Sequence, residues 1–283
     1  MLTVTIGPLV LPMHQAMLIA AVLAAFSVSH IIGRRQKTQS VGNLLSDMLI
    51  AALLAARLAF VVTWFDLYRE APWSMIDIRD GGFTPWAGVA AALLVAIWHA
   101  WRTPASCKPL GIALASGMLT YGALLGASLT INKGPAALPA TALTTLAGEQ
   151  TKLARLADGK PLVVNLWASW CPPCRREMPL LEDVQKEQGG TAFAFVNQGE
   201  TQDIVEHYLS ESGVDLSNVV LDSDALLGKA VGSMALPTTL FYDASGQLRA
   251  THMGELSAAS LADKLRLLQE PAQQSHSTVK KQE

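Results

Sequence analysis

The hydrophobic pattern of this chain changes character once, near Asn132. From Pro8 to Ile32 no Lys, Arg, Asp or Glu occurs, a run longer than the roughly 20 residues that cross a hydrocarbon core. Similar apolar stretches follow at about Leu44–Phe65, Phe83–Trp101 and Pro109–Ile131. The pattern predicts an all-α domain of four membrane-spanning helices over 1–131. The first stretch lacks a basic leading segment and a small-residue cleavage site, so it reads as an anchor and not as a removed signal. Residues 132–141, with Asn-Lys-Gly-Pro and a second proline, read as a linker.

Beyond the linker, short apolar strands alternate with helical segments. Leu162–Trp167 is a buried strand rich in β-branched and aromatic residues. A helix is predicted at Pro172–Lys186, its first proline placed where a missing N–H costs nothing. A strand near Thr191–Val196, a helix over Thr201–Ser212, a strand at Asn218–Leu221 and a short helix around Ala225–Ala230 follow. Strands at Thr238–Tyr242 and Leu248–His252 meet at an Ala-Ser-Gly turn, and an amphipathic helix covers Ser257–Leu268. Residues 142–270 therefore form an α/β domain, a central sheet flanked by helices, with 271–283 as a disordered polar tail.

Composition sharpens this division. Of 283 residues, 51% are hydrophobic and 16% are charged, against roughly 25% charged in soluble domains; the deficit lies before Asn132. A net charge of −2, with no basic run, excludes nucleic acid as a partner and leaves the lipid bilayer. Arg34, Arg35 and Lys37 follow the first span, and Arg102 and Lys108 follow the third. Basic loops face the cytoplasm, which puts the N-terminus and everything after Ile131 on the far side. In a bacterium that is the periplasm, where disulfide chemistry is expected. Arg57 lies inside the second span, where a charge needs a partner. It is either a lipid-headgroup or proton site or, more plainly, a structural contact to Asp47, His14 or a backbone carbonyl. His99 reads as an interfacial residue.

The chain has three cysteines, Cys107, Cys171 and Cys174. Trp170-Cys171-Pro172-Pro173-Cys174 falls at a strand-to-helix turn, and a dithiol at this spacing can close into a short ring. Cys171 at the helix N-terminus meets unpaired N–H groups that favour a thiolate, reinforced by Arg175 and Arg176. Cys171 is the expected nucleophile and Cys174 the resolving thiol. A zinc site would need two further ligands, and neither Cys107, His207 nor His252 stands at ligand spacing. No metal and no cofactor are expected beyond the redox-active pair.

Two resemblances add to this. The run Val164-Asn165-Leu166-Trp167-Ala168-Ser169-Trp170-Cys171-Pro172-Pro173-Cys174 is similar to the periplasmic thioredoxin-like reductases of the TlpA/ResA type, over Ala142 to about Leu268. The resemblance implies that Pro237, in Ala235-Leu236-Pro237-Thr238-Thr239, is a cis-proline beside the disulfide that leaves a backbone edge for an extended substrate. It implies that Glu177 exchanges a proton with Cys174; a solvated helix carboxylate is the alternative. Asn165 stands where cytoplasmic thioredoxins keep a buried aspartate, and it cannot act as a base. Trp167 reads as core, and Trp170, Pro172, Pro173 and Leu236 as active-site surroundings. The implied activity is reduction of disulfides in exported proteins such as apocytochrome c or copper-site assembly proteins, though the same site can serve an oxidase or isomerase.

The first hundred residues resemble prolipoprotein diacylglyceryl transferases through Ile6-Gly7-Pro8-Leu9, Gly33-Arg34-Arg35, Ala56-Arg57-Leu58 and Asp80-Gly81-Gly82. That family has about seven spans, places a histidine where this chain has Trp86, and a tyrosine where it has His14. The departures imply an anchor that has lost acyl transfer. Intramembrane electron relays use a cysteine pair, and this half has only Cys107, so a separate transmembrane thiol reductase is the expected electron donor. A lipid transferase with an accessory domain, or a thioredoxin fold that binds without turnover, are the other readings.

Overall fold

The computed structural model describes residues 3–6, 9–36, 40–69, 71–131, 137–233 and 235–269. It divides into two compact units that change over at Gly134–Pro135, inside the expected linker. Residues 132–136 and 271–283 lie outside the described residues. Leu138 N–H donates to the Gly246 carbonyl at 2.9 Å and Ala137 bridges Gln247. The last part of the expected linker therefore belongs to the second unit.

The first unit opens with a hairpin, β1 (Thr3–Ile6) and β2 (Leu9–Pro12), paired antiparallel from Thr3↔Pro12 to Ile6↔Leu9. The first helix, α1, runs Met13–Gln36, so the span expected from Pro8 begins five residues later. Apolarity alone does not separate strand from helix in a short run, and the β-branched Thr3-Val4-Thr5-Ile6 decides for strand. Helices α2 (Ser40–Thr63), α3 (Phe65–Tyr68), α4 (Pro85–Arg102) and α5 (Cys107–Ile131) follow. Among the described residues, three segments are long and apolar enough to cross a membrane: Met13–Arg34, Val41–Thr63 and Pro104–Thr130. The third expected span forms as α4, but Pro85, His99 and Arg102 dilute it and it is not one of the three.

Helix α1 packs on α5, and α2 on α4. Small residues let them close: a Cβ on Gly88 would meet the Ala52 carbonyl at 2.9 Å, and one on Gly117 the Ala21 carbonyl at 3.1 Å. This is the packing of helices that have no hydrophobic effect to drive them together. Leu54, Leu58, Leu94 and Leu119 point outward, which suits a lipid-facing surface.

Arg57, buried in α2, has every N–H engaged. Nε donates to Met75 O at 3.2 Å. Nη1 donates to Asp80 Oδ1 and Gly82 O, both at 2.8 Å. Nη2 donates to Ser74 O at 3.0 Å and Asp77 O at 2.8 Å, with a longer contact to Asp80 Oδ2 at 3.3 Å. Tyr68 Oη donates to Asp80 Oδ2 at 2.5 Å. The carboxylate partner is thus Asp80, carried by the Asp80-Gly81-Gly82 motif, and not Asp47. Gly81 adopts φ +62°, which glycine tolerates without strain. A Cβ on Gly82 would meet Phe60 at 2.5 Å and Arg57 Nη1 at 2.8 Å. The motif brings backbone against the Arg57 guanidinium.

The second unit is a seven-stranded mixed sheet with helices against it. Strands β3 (Leu143–Thr145) and β4 (Gln150–Thr151) and helix α6 (Leu153–Ala157) come first, none of them foreseen from pattern because each is too short to carry a period. Then come β5 (Leu162–Trp167), α7 (Pro172–Glu187), β6 (Ala192–Gln198), α8 (Gln202–Ser212), β7 (Val219–Asp222) and α9 (Leu226–Val231). The last elements are β8 (Thr238–Tyr242), β9 (Leu248–Met253) and α10 (Ala258–Gln269). The order is β4-β3-β7-β6-β5-β8-β9. β5 runs parallel to β6 and antiparallel to β8, so it is an interior strand, and it is buried at every residue, as its apolar run, broken only by Asn165, requires.

Candidate active site

The carboxyl end of β5 delivers the chain to the site. Ala168, Ser169 and Trp170 form the turn, closed by Cys171 N–H donating to Ala168 O at 3.2 Å. Cys171 caps α7, its Sγ accepting from Cys174 N–H at 3.3 Å. Pro172 and Pro173 occupy the first helical turn, where no intrahelical donor is needed. Cys171 and Cys174 form a disulfide of 2.07 Å, and both are buried. Trp170 stands 68% exposed beside them, whereas Trp167 is fully buried against Tyr208 at 5.3 Å between ring centres.

Cys174, Glu177, Met178 and Leu181 are the buried residues of α7. Their spacing, i, i+3, i+4 and i+7, is the inward stripe of a helix. The periodicity that buries Met178 also carries Glu177 inward, so it is not a solvated carboxylate. Its Oε1 accepts from Asn165 Nδ2 at 2.8 Å and its Oε2 from Leu256 N–H at 2.9 Å. Asn165 Nδ2 also donates to Thr239 Oγ1 at 3.0 Å, across the Asn165↔Thr239 pair of β5 and β8. Burial pushes the Glu177 carboxyl up to about 7; the two hydrogen bonds hold it back, and the nearby Glu255 charge adds to the rise.

Each arginine has a partner: Arg176 pairs with Glu255, and Arg175 lies 5.5 Å over the Tyr208 ring. The unpaired backbone N–H groups at the head of α7 add to the positive potential near Cys171.

The Leu236–Pro237 peptide bond is cis. Leu166 pairs with Thr238, which sets Pro237 one residue beyond the ladder, at the end of the sheet that carries Cys171. Leu236 packs against the core cluster that contains both cysteines.

Glu200, Ser169 and Asn197 were not foreseen. Glu200 is buried just past β6, and Ser169 donates to it through both N–H and hydroxyl. The signal lay in the sequence: a carboxylate directly after a buried strand sits at the same sheet end as the loop after β5.

Residues 133–265 match the family model described as Redoxin, and residues 2–116 match that described as Prolipoprotein diacylglyceryl transferase. The thioredoxin-like protein YneN of Bacillus subtilis is 32% identical over 133 residues, covering 46% of this chain and 76% of YneN. The thiol-disulfide oxidoreductase ResA of the same organism is 29% identical over 161 residues, 56% of this chain and 88% of ResA. The thiol:disulfide interchange protein DsbE of Tatumella citrea is 31% identical over 113 residues, 40% of this chain and 60% of DsbE.

Proposed function

Because the chain belongs to the ResA-type thioredoxin-like thiol–disulfide oxidoreductases, fused to a prolipoprotein diacylglyceryl transferase-like region, we propose that it is a membrane-anchored reductase of disulfides in exported proteins. The observation that carries this reading is the Cys171–Cys174 pair at the head of α7, backed by the buried Glu177.

In the reduced protein the unpaired N–H groups of α7 stabilise Cys171 as thiolate. It attacks one sulfur of a client disulfide; that S–S bond breaks, the second client sulfur leaves as thiolate, and a mixed disulfide forms. Cys174 then passes its proton to Glu177, whose carboxyl near 7 is available in both protonation states around neutral pH. The Cys174 thiolate attacks Cys171 Sγ, and the first client sulfur departs as thiolate and takes up a proton. Two electrons have moved to the client, and the protein is left with its own disulfide. Asn165 and Leu256 N–H hold the Glu177 carboxylate in place, while Pro237, Leu236 and Trp170 form the surface against which an extended client lies. Apocytochrome c and copper-site assembly proteins are the client classes that fit a reductase outside the cytoplasm.

Resetting the disulfide needs two electrons. The helical unit offers one thiol, Cys107, which cannot form the intramolecular disulfide of a relay, so a separate transmembrane thiol reductase supplies them. The helical unit is an anchor of four spans. Trp86 near one end of α4 and Trp98 and Trp101 near the other bracket it as interfacial aromatics do. At about 1.5 Å per residue α4 is long enough to cross most of a core roughly 30 Å thick. With α4 as a span, Arg34-Arg35 and Arg102–Lys108 share the cytoplasmic side and the redox domain faces the periplasm. Trp86 in place of the family's histidine, and an Arg57 with no N–H left over, support loss of acyl transfer.

Trapping tests the reading. A Cys174→Ser variant should accumulate mixed disulfides with exported proteins through Cys171, and a Cys171→Ser variant should accumulate none. Equal trapping by both variants, or none by either, contradicts the assignment.

A further inference from the structure

A buried carboxylate outside the dithiol and its proton partner remains without a role. Glu200 Oε2 accepts from Ser169 N–H at 2.7 Å and from Asn197 Nδ2 at 2.6 Å, and Oε1 accepts from the Ser169 hydroxyl at 2.5 Å. Glu200 and Asn197 are both buried. Asn197 belongs to β6, and its register partner is Trp167, the last residue of β5. The carboxylate therefore ties the end of one strand to the middle of the turn that leaves its neighbour. Ser169 lies two residues before Cys171, and the turn closes over it through the Cys171 N–H to Ala168 O bond.

We propose that Glu200 is a positioning residue for thiol–disulfide exchange: by holding Ser169 at both its N–H and its hydroxyl, it fixes the Ala168–Trp170 turn and so the direction of the Cys171 sulfur. This inference rests on Cys171 as the attacking thiol. Charge-assisted hydrogen bonds are about twice as strong as neutral ones, and three converge here on one carboxylate. Exchange requires the attacking sulfur, the central sulfur and the leaving sulfur to align, so it is sensitive to a small loss of direction. Alkylation by a small mobile reagent needs the thiolate but little guidance from the protein. The two reactions thus separate aim from thiolate supply. A glutamine at 200 keeps the shape but loses the charge: with its oxygen toward Ser169 N–H and Asn197 Nδ2, its NH₂ group meets the Ser169 hydroxyl, which must then accept where it had donated.

The test uses the full-length protein in detergent, reduced, with two readouts over a pH series: exchange with a small aromatic disulfide, and alkylation by iodoacetamide with the labelled cysteine identified by mass spectrometry. Glu200→Gln should slow exchange about tenfold or more while alkylation of Cys171 changes less than about twofold at each pH. Ser169→Ala, which keeps the N–H bond and loses the hydroxyl, should slow exchange by about threefold, and the double variant should be no slower than Glu200→Gln. Should Glu200→Gln not fold, Ser169→Ala alone must still show the split between the two reactions. A parallel fall in both reactions would mean that Glu200 acts through the thiol's acidity, and unchanged exchange would mean that it serves the fold alone; either overturns the proposal. Labelling of Cys174 before Cys171 in the wild type would instead overturn the assignment of the attacking thiol.

Discussion

Each half of this protein buries a charge-bearing side chain that invites a functional reading, Arg57 in one and Glu177 in the other, and these two are treated in opposite ways. In the helical unit, Arg57 meets Asp80 and four backbone carbonyls, and no N–H is left to offer. In the redox unit, Glu177 is 1% exposed and receives two hydrogen bonds, from Asn165 and Leu256, with no cation among the groups that shape its acidity. Arg57 is compensated in full. Glu177 is compensated in part, which leaves its proton affinity far above the ordinary carboxylate range. A saturated buried ion holds a fold together, whereas an under-compensated one is poised to exchange a proton.

The sharpest way to break this comparison is to remove Arg57. Arg57→Ala takes the guanidinium from the buried Asp80 carboxylate and leaves it only the Tyr68 hydroxyl and Gly82 N–H among the donors described, and breaking a buried ion pair in this way costs about 3–5 kcal/mol. Unfolding in detergent should register that loss, while the thiol chemistry of whatever protein remains folded stays intact. A stable Arg57→Ala protein would show that the guanidinium is not the clamp described.

Glu177→Gln should behave in the reverse manner. A carboxyl raised from 4.5 to about 7 in the folded state binds more protons folded than unfolded between those values. Stability is therefore complete below the unfolded value and falls as pH rises through that window, by on the order of 3 kcal/mol at most. A neutral glutamine escapes this penalty, so at pH 8 the oxidised variant should melt higher than the oxidised wild type, with the gap closing toward pH 4. Disulfide reduction by the variant should fall about a hundredfold near neutral pH. A lower melting temperature at pH 8 combined with full activity would remove Glu177 from the chemistry.

Asn165→Ala tests the intermediate case. It removes one of the two donors to Glu177, so the carboxyl should titrate higher still, as followed by carbon NMR of the side chain, and the alkaline limb of the activity profile should move with it. An unmoved titration would assign the control to Leu256 N–H alone. The smallest effect is expected at Cys107. Cys107→Ser should leave the redox state of the other pair unchanged, and in intact cells a membrane-impermeant maleimide should fail to reach Cys107 while a permeant one labels it. Labelling by the impermeant reagent would reverse the topology.

Much of the redox unit was legible because its signals are local. The apolar run Leu162–Trp167, the prolines after Cys171 and the Ala-Ser-Gly turn each act over a few residues, and β8 occupies Thr238–Tyr242 as the pattern predicts. The inward placement of Glu177 was also readable, since it shares the helical stripe of Cys174 and Met178. What escaped was set by distant partners. Arg57 finds Asp80 across 23 positions of sequence and Ser169 finds Glu200 across 31, and periodicity carries no information at that range. The elements β3, β4 and α6, five residues or fewer, were invisible for the opposite reason: their stability comes from the sheet they join and not from their own pattern.

The most direct test of the whole account is the steady-state redox state of Cys171 and Cys174 in cells, fixed by acid quench and read by thiol alkylation, with and without the main transmembrane thiol reductase. A membrane-anchored reductase predicts a pair that is mostly reduced and becomes oxidised when that donor is removed. A pair already oxidised in the wild type would contradict the reducing direction and make the protein an oxidant of its clients.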